Sequence, residues 1–442
     1  MLDWKQNKHG ETALLINGAR RVGKSTIVHE FATKEYRSAI EIDFANAKPN
    51  VLELFNDISD LDYFFMHLQV IFNVDLYHRE SVIVFDEVQL CPKARQAIKY
   101  LVADGRYDFI ETGSLLSIRQ NTKNILIPSE ETRINMYPMD YDEFLWALGK
   151  KRVCDFLKAT YKGGGHISDS ESRELMKDFR LYVIIGGMPQ SVAKYLETKN
   201  IGKVESVKRQ ILELYMEDLK KIDPSNGAVN IFKSIPGELT KSKLRFEVGS
   251  VLDDNKRGSQ TNILLGELEE SMTVNFCYRC TDPNVGFGMH RDTSSFKIYM
   301  GDTGLFLTLA FWDNDRGVND IYQKLLADKL SADLGYVFEN VVAQIFRASG
   351  HALYYHTFHA REDGKNSYEI DFMLSHGNKM IPIEVKSSSY KTHKSLDEFC
   401  SKYSSRISFP VLIYTKTMRK DQSTMMLPFY MAQTLANSIA ES

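Results

Sequence analysis

Gly18, Ala19, Arg20, Arg21, Val22, Gly23, Lys24, Ser25 and Thr26 bring two glycines, a lysine and two hydroxyls together at phosphate-cradling spacing. The pattern G-x-x-x-x-G-K-[ST] wraps backbone N–H groups around the phosphates of a nucleoside triphosphate. Lys24 then reaches the β- and γ-phosphates, and Ser25 supplies a hydroxyl for Mg²⁺. Downstream, Ser81-Val-Ile-Val-Phe-Asp86-Glu87 reads as a buried strand ending in two acids. Asp86 is expected to hold the Mg²⁺ shell, and Glu87 to polarise an attacking water. Thr112 and Ser114, after a further strand, are candidate sensors of the γ-phosphate. The chain has no guanine-reading N/T-K-x-D motif in a suitable place, which favours ATP.

A second constellation lies near the C-terminus. Tyr368–Ser375 and Met380–Lys386 read as two strands joined at Gly377-Asn378. In that register His376 faces Lys379, Leu374 faces Ile381, Phe372 faces Ile383 and Ile370 faces Val385. This gives one apolar face. On the other face Asp371 falls opposite Glu384, and Glu369 opposite Lys386. Opposed carboxylates repel, and a divalent cation held by Asp371 and Glu384 would remove the penalty. Asp371 with Glu384-Val-Lys386 resembles the D…(D/E)-x-K pattern of the restriction-endonuclease-like fold. That resemblance implies Mg²⁺ on the two acids, Lys386 assisting a water, and Glu339 as the upstream acid. Nuclease-like domains can also keep the fold for binding alone.

Elements must position these groups. Ala13–Ile16 reads as the strand before the phosphate loop, with a helix opening at Thr26. Strands at 39–44 and 107–112 and helices at 51–72 and 92–103 alternate with it, which implies a parallel sheet with helices on both faces. Glu111 is out of place in a buried strand. Lys162-Gly-Gly-Gly-His166 reads as a linker, and Ser168-Asp-Ser-Glu171 as a capping box opening a helix. Residues 169–220 read as helical, interrupted at Gly186-Gly187-Met-Pro189. A helix over about 325–349, strand 353–358, the hairpin, a helix near 395–403 and strand 409–414 follow in the nuclease-core order. Lys386, Lys391, Lys394, Lys402, Arg406, Lys416, Arg419 and Lys420 make the closing segment basic.

At 442 residues the chain exceeds one ordinary domain. Its formal net charge of −3 excludes a global basic field, so any nucleic-acid contact must be local. No apolar run approaches the roughly 18 residues that span a bilayer, so no membrane partner is expected. The start lacks a signal-peptide apolar core, and five scattered cysteines give no disulfide framework. A reduced, cytoplasmic protein is expected. Cys277-x-x-Cys280 and His356-x-x-His359 lack the further ligands of a zinc site.

The chain resembles the AAA-type ATPases of bacteria and archaea that carry a C-terminal domain of unknown function. The resemblance rests on Gly18–Ser25, Phe85-Asp-Glu-Val-Gln89, Thr112-Gly-Ser114, Tyr137–Phe144, Gly186-Gly-Met-Pro189, Ile235–Leu239, Phe296–Leu305, Tyr368–Asp371 and Ile383–Lys386. It implies an α/β fold: an ASCE/AAA-like P-loop domain over 1–146, a helical region over 147–222, a winged-helix-like region over 223–324 and a nuclease-like domain over 325–442. Arg21 stands where the family often has glutamine. The chain also begins closer to its P-loop than many relatives, which leaves a truncated N-terminus open. ATP and Mg²⁺ are the implied cofactors, DNA a partner of the C-terminal domain. A homo-oligomer stays open, with Arg119 or Arg133 as an arginine finger. The competing reading is a nucleotide-dependent switch whose last domain binds without cutting.

Overall fold

The computed structural model describes residues 1–8, 10–113, 129–241, 245–251, 259–313, 318–327, 335–359, 367–388 and 390–441. They form two compact units, Met1–Tyr137 and Pro138–Ser442.

The first unit is built on five parallel strands: β1 (Ala13–Gly18), β2 (Ser38–Asp43), β3 (Ser81–Asp86), β4 (Asp108–Gly113) and β5 (Glu131–Met136). Their order is β2-β3-β4-β1-β5, so β4 lies between the strand that feeds the phosphate loop and the strand that delivers Asp86. Alternate residues serve opposite faces. Leu14, Ile16, Val82, Val84 and Ile110 pack with Val28 and Phe31 of the Lys24–Glu35 helix. Ala13, Leu15, Ile83, Phe85 and Phe109 pack with Phe64, Phe65, Ile98 and Leu101. Burial on both faces is why these strands read as apolar runs. Each fully buried large side chain is worth about 1.5–3 kcal/mol. Helix ends follow local chemistry. Asp60 caps the Leu61–Phe72 helix, its side chain accepting from Tyr63 N at 2.9 Å. Pro92 opens the Pro92–Asp104 helix and left-handed Gly105 closes it.

The second unit begins with helices. The expected linker at 162–166 is instead a helix end. The Lys151–Gly163 helix runs through Lys162 and stops at Gly164, whose φ is 64°. A lone turn to the left-handed region suffices to end it. The Ser168/Glu171 capping box opens the Asp169–Ile185 helix, and Gly186-Gly187 separates that helix from Pro189–Thr198. Here the backbone is pressed against its neighbours: a Cβ on Gly187 would lie 2.1 Å from Met139 O. Gly187 N and Leu305 N both donate to the buried Asp302 carboxylate. Wholly buried Lys208 ties the same region together. Its Nζ donates to Ile184 O at 2.9 Å and to Tyr322 Oη at 3.0 Å, and lies 3.1 Å from Glu205 Oε2.

Asp140 caps the Tyr141–Ala147 helix in a reciprocal box with Glu143. Burial, and secondarily the Glu143 charge, pushes its carboxyl up to about 7 from an ordinary 3.8. Between those values the folded chain holds a proton that the unfolded chain has released. Its contribution to stability therefore falls as pH rises from about 4 to about 7. Asp140→Asn keeps a capping oxygen without the charge. It is expected to flatten that slope and to stabilise the chain at pH 8, read by denaturant unfolding across pH.

Two sheets complete the unit. One has the order β7-β6-β8-β9, with β6 (Val274–Cys280), β7 (Arg291–Met300), β8 (Leu353–His359) and β9 (Ser367–Ile370). The other has the order β10-β11-β12-β14-β13, with β10 (Phe372–His376), β11 (Lys379–Lys386), β12 (Val411–Tyr414), β13 (Arg419–Asp421) and β14 (Thr424–Pro428). β6 pairs with β7 antiparallel and with β8 parallel, so the β6–β7 pair shares a sheet with strands from the C-terminal part of the chain. Lys243, Lys256 and Arg257, which precede these strands, lie outside the described residues.

The β10–β11 register holds from His376–Lys379 through Leu374–Ile381 to Phe372–Ile383. Beyond Phe372 the expected pairing is wrong. β9 leaves β11 and pairs with β8, Ile370 against His356 and Glu369 against Thr357. Asp371 sits at the bend between strands and is not a ladder partner of Glu384. Nor is either face polar over the hairpin, since Met373, Met380 and Pro382 are buried as well as Phe372, Leu374, Ile381 and Ile383. The reason is packing from both sides. Phe346 of the Gly335–Ala348 helix meets Phe372 edge-on. Leu396 and Phe399 of the Lys394–Tyr403 helix cover Met373 and Met380.

Candidate functional site

The sequence motif of the first unit becomes one cluster. Gly23 adopts φ 99°, a conformation that side chains resist, and Arg21 is left-handed at φ 69°. These reversals curl the loop before the Lys24–Glu35 helix begins. Lys24 Nζ donates to Gly18 O and Ala19 O, each at 3.0 Å. Burial depresses its pKa, against the pull of Glu87 and Asp86 and with a smaller push from Arg20. Ser25 Oγ donates to Asp86 Oδ1 at 2.9 Å, and Thr112 Oγ1 donates to the same oxygen. Glu87 N donates to Thr112 Oγ1 at 3.3 Å. A hydroxyl, a carboxylate and a sensor-strand threonine thus meet beside the loop, as a phosphate-bound cation would require. Ser114 and Arg119 lie outside the described residues. Arg133 Nε is 3.4 Å from Glu131 Oε2 within its own strand β5.

Gln89 was not singled out from sequence. Its side-chain amide donates to Glu87 Oε2, while Glu87 itself is left-handed at φ 53°. A non-glycine residue in that region is held by its surroundings, and the Gln89 amide fixes the carboxylate direction. Its place in Phe85-Asp-Glu-Val-Gln89 was the available signal.

Glu111 also finds its explanation. Arg95, 1% exposed, donates from Nη1 to Glu111 Oε2 at 3.3 Å and from Nη2 to Glu131 Oε2 at 3.0 Å. Burial, then the Glu131 charge, drives the Glu111 carboxyl well above the usual range, against the pull of Arg95. Arg95→Met would leave two buried acids without their shared cation. Removing one partner of a buried ion pair costs about 3–5 kcal/mol. Urea unfolding of that variant is expected to show such a loss, and Glu111→Gln in the same background to recover part of it.

The second cluster gathers residues from three strands, the bend at Asp371 and a helix. Glu384, 5% exposed, lies 3.1 Å through Oε1 from Lys386 Nζ, while its buried Oε2 has no hydrogen-bond partner. Val385 N donates to Asp371 Oδ2 at 2.7 Å. Glu339, on the Gly335–Ala348 helix, accepts from Tyr299 Oη at 3.2 Å. Lys297 on β7, which the sequence reading missed, donates to Glu369 and lies 3.9 Å from Glu339 Oε2. No spacing rule links residue 297 to 369; only the sheet joins them. Burial first, then the charges of Glu339, Glu369 and Glu384, raise the Asp371 carboxyl well above its ordinary range, against Lys297. Burial also raises Glu384, against Lys386. Cys277 faces Lys297 across the ladder, and Cys280 Sγ donates to Asp282 O, so the two thiols have separate surroundings.

Among the described residues no three His, Cys, Asp or Glu side chains form a ready metal shell. Mg²⁺ needs only one or two carboxylates, the rest of its octahedron being water. Asp371 and Glu384 meet that need in type, and Glu384 Oε2 is buried without a hydrogen-bond partner.

Comparison with known proteins bears on the first unit. Residues 10–145 match the sequence family described as an AAA domain. This AAA domain makes the first unit a P-loop ATPase, a class that uses nucleotide and usually Mg²⁺. Residues 176–316 and 334–431 match two families described as domains of unknown function, DUF8612 and DUF4143. No curated protein matches the chain. Solved structures that match include the Aeropyrum pernix Orc1 protein in complex with DNA, at 11% identity and a TM-score of 0.29, covering 72% of this chain and 86% of that one. Cdc6p from Pyrobaculum aerophilum matches at 13% identity and a TM-score of 0.22, covering 74% and 91%. Scores this low carry no argument about this chain. No helix among its described residues is long and apolar enough to cross a membrane.

Proposed function

We propose that the chain hydrolyses ATP in its AAA domain and cuts DNA with a nuclease-like C-terminal domain. The proposed organisation is 1–146 ATPase, 147–222 helical, 223–324 winged-helix-like and 325–442 nuclease-like. In the ATPase, Lys24 steadies the phosphates, Ser25 and Asp86 hold Mg²⁺, and Glu87, aimed by Gln89, takes a proton from the attacking water. The order β2-β3-β4-β1-β5 supports this reading, because it brings Thr112 of β4 beside Asp86 of β3.

One observation carries the nuclease reading. Asp371, Glu384 and Lys386 lie in one half-buried cluster with Glu339, although the acids come from different elements and repel one another. Such an arrangement is costly unless a function needs it. Mg²⁺ bound there would neutralise the acids and polarise a water or phosphodiester oxygen. Asp371 and Glu384 would hold it, and Lys386 would orient the water and take up charge on the phosphate.

A second reading is a nucleotide-dependent switch whose last domain binds without cutting. It is favoured by the ion pairs already present, Lys386 with Glu384 and Lys297 with Glu369. Supercoiled plasmid incubated with the full chain and Mg²⁺ or Mn²⁺, with and without ATP, separates the two. Metal-dependent relaxation or linearisation supports the nuclease. ATP turnover with no cutting of any DNA form, together with DNA binding that needs no divalent metal, supports the switch.

A further inference from the structure

Two-metal phosphodiesterases place their cations about 3.5–4 Å apart, each against carboxylates. In this cluster a lysine ammonium sits between two of the carboxylates. Lys297 Nζ is hydrogen-bonded to Glu369 and lies 3.9 Å from Glu339 Oε2, with its side chain only 9% exposed. The Tyr355 ring centroid is 5.4 Å from the same nitrogen, so an aromatic face helps to hold the cation. β7 positions Lys297 rigidly. Its cross-strand partner is Cys277, and two residues on Tyr299 donates to Glu339. The other half of the cluster is different. Glu384 Oε2 is buried without a hydrogen-bond partner, and Asp371 Oδ2 accepts a backbone N–H from Val385. Charge points the same way. Among the described residues Glu339, Glu369, Asp371 and Glu384 are set against Lys297 and Lys386. With all four acids ionised, as a bound cation would hold them, four carboxylates and two ammonium groups leave two negative charges, which one divalent cation balances and two would exceed.

We propose that Lys297 is a built-in second cation: its ammonium, held between Glu369 and Glu339, occupies the place of a second metal, so the site takes a single divalent ion at Asp371 and Glu384. This rests on the nuclease-like reading of the same cluster. Lys297 is a positioning residue: it fixes Glu369 and Glu339 and limits the ion count.

Mn²⁺ binding to the nucleotide-free full chain, counted by electron paramagnetic resonance and calorimetry, tests the proposal without any activity assay. The site's count is the number of ions lost on combining Glu384→Ala with Glu339→Ala and Glu369→Ala. One ion is expected for the wild type and for Lys297→Arg, and two for Lys297→Met. If Lys297→Met does not fold, Lys297→Gln, which keeps a donor toward Glu369, takes its place. Two ions in the wild type, or an unchanged count of one in a folded neutral variant, would overturn the built-in cation while leaving a metal-dependent nuclease standing. No ion sensitive to Glu384→Ala in any form would remove the metal site itself, and with it the built-in cation and the metal-dependent nuclease.

Discussion

Lys24→Ala is expected to lower ATP turnover by on the order of 10²–10³-fold, the range seen when one preorganised charge-stabilising donor is removed. The structure gives the reason. Lys24 is the ammonium of the loop, buried and held to Gly18 O and Ala19 O at 3.0 Å. Those two carbonyl bonds are modest, about 0.5–1.5 kcal/mol net each, so the variant keeps its fold. Exchanging them for phosphate oxygens gives the ammonium a charged partner and strengthens its contacts as charge develops in transfer. Phosphate release measured beside thermal unfolding separates the two contributions. Turnover at the wild-type rate in a folded variant would take Lys24 out of the phosphate site. Glu87→Gln is the complementary variant: nucleotide still binds, while turnover falls.

Glu384→Ala is expected to abolish metal-dependent cutting, by at least about 10²-fold, more than an outer partner of a metal ligand usually costs. ATP turnover should persist, since Glu384 belongs to the other compact unit. Stability should hold or rise. The Glu384 charge is among those that raise the Asp371 carboxyl, and removing it relieves that repulsion, at the loss of the 3.1 Å pair with Lys386. Plasmid cleavage and denaturant unfolding of the same preparation give both readouts. Cutting that survives the substitution would take Glu384 out of the chemistry and leave the acid cluster as a structural knot.

Sequence spacing alone placed the P-loop, the strand ending in Asp86-Glu87 and the alternation that surrounds them. Those features depend on local period and on backbone geometry within a few residues, and the strands β1, β3 and β4 begin and end within two residues of the reading. The hairpin turn at Gly377-Asn378 and three of its cross-strand pairs were legible for the same reason, a two-residue connection fixing register. What the sequence could not determine was where a strand stops serving one neighbour and starts serving another. Tyr368–Ser375 reads as one run, yet the chain breaks at Asp371 because β8 competes successfully for Ile370 and Glu369. Nor could spacing connect Arg95 with Glu111 and Glu131, or Lys297 with Glu339 and Glu369. Buried charges are satisfied by whatever the fold brings within reach, not by neighbours in sequence. Sequence therefore determined which groups could do chemistry, through residue type and local period. Tertiary structure decided which of them share a proton, an ion or a partner, because those energies depend on distance and burial across elements far apart in the chain.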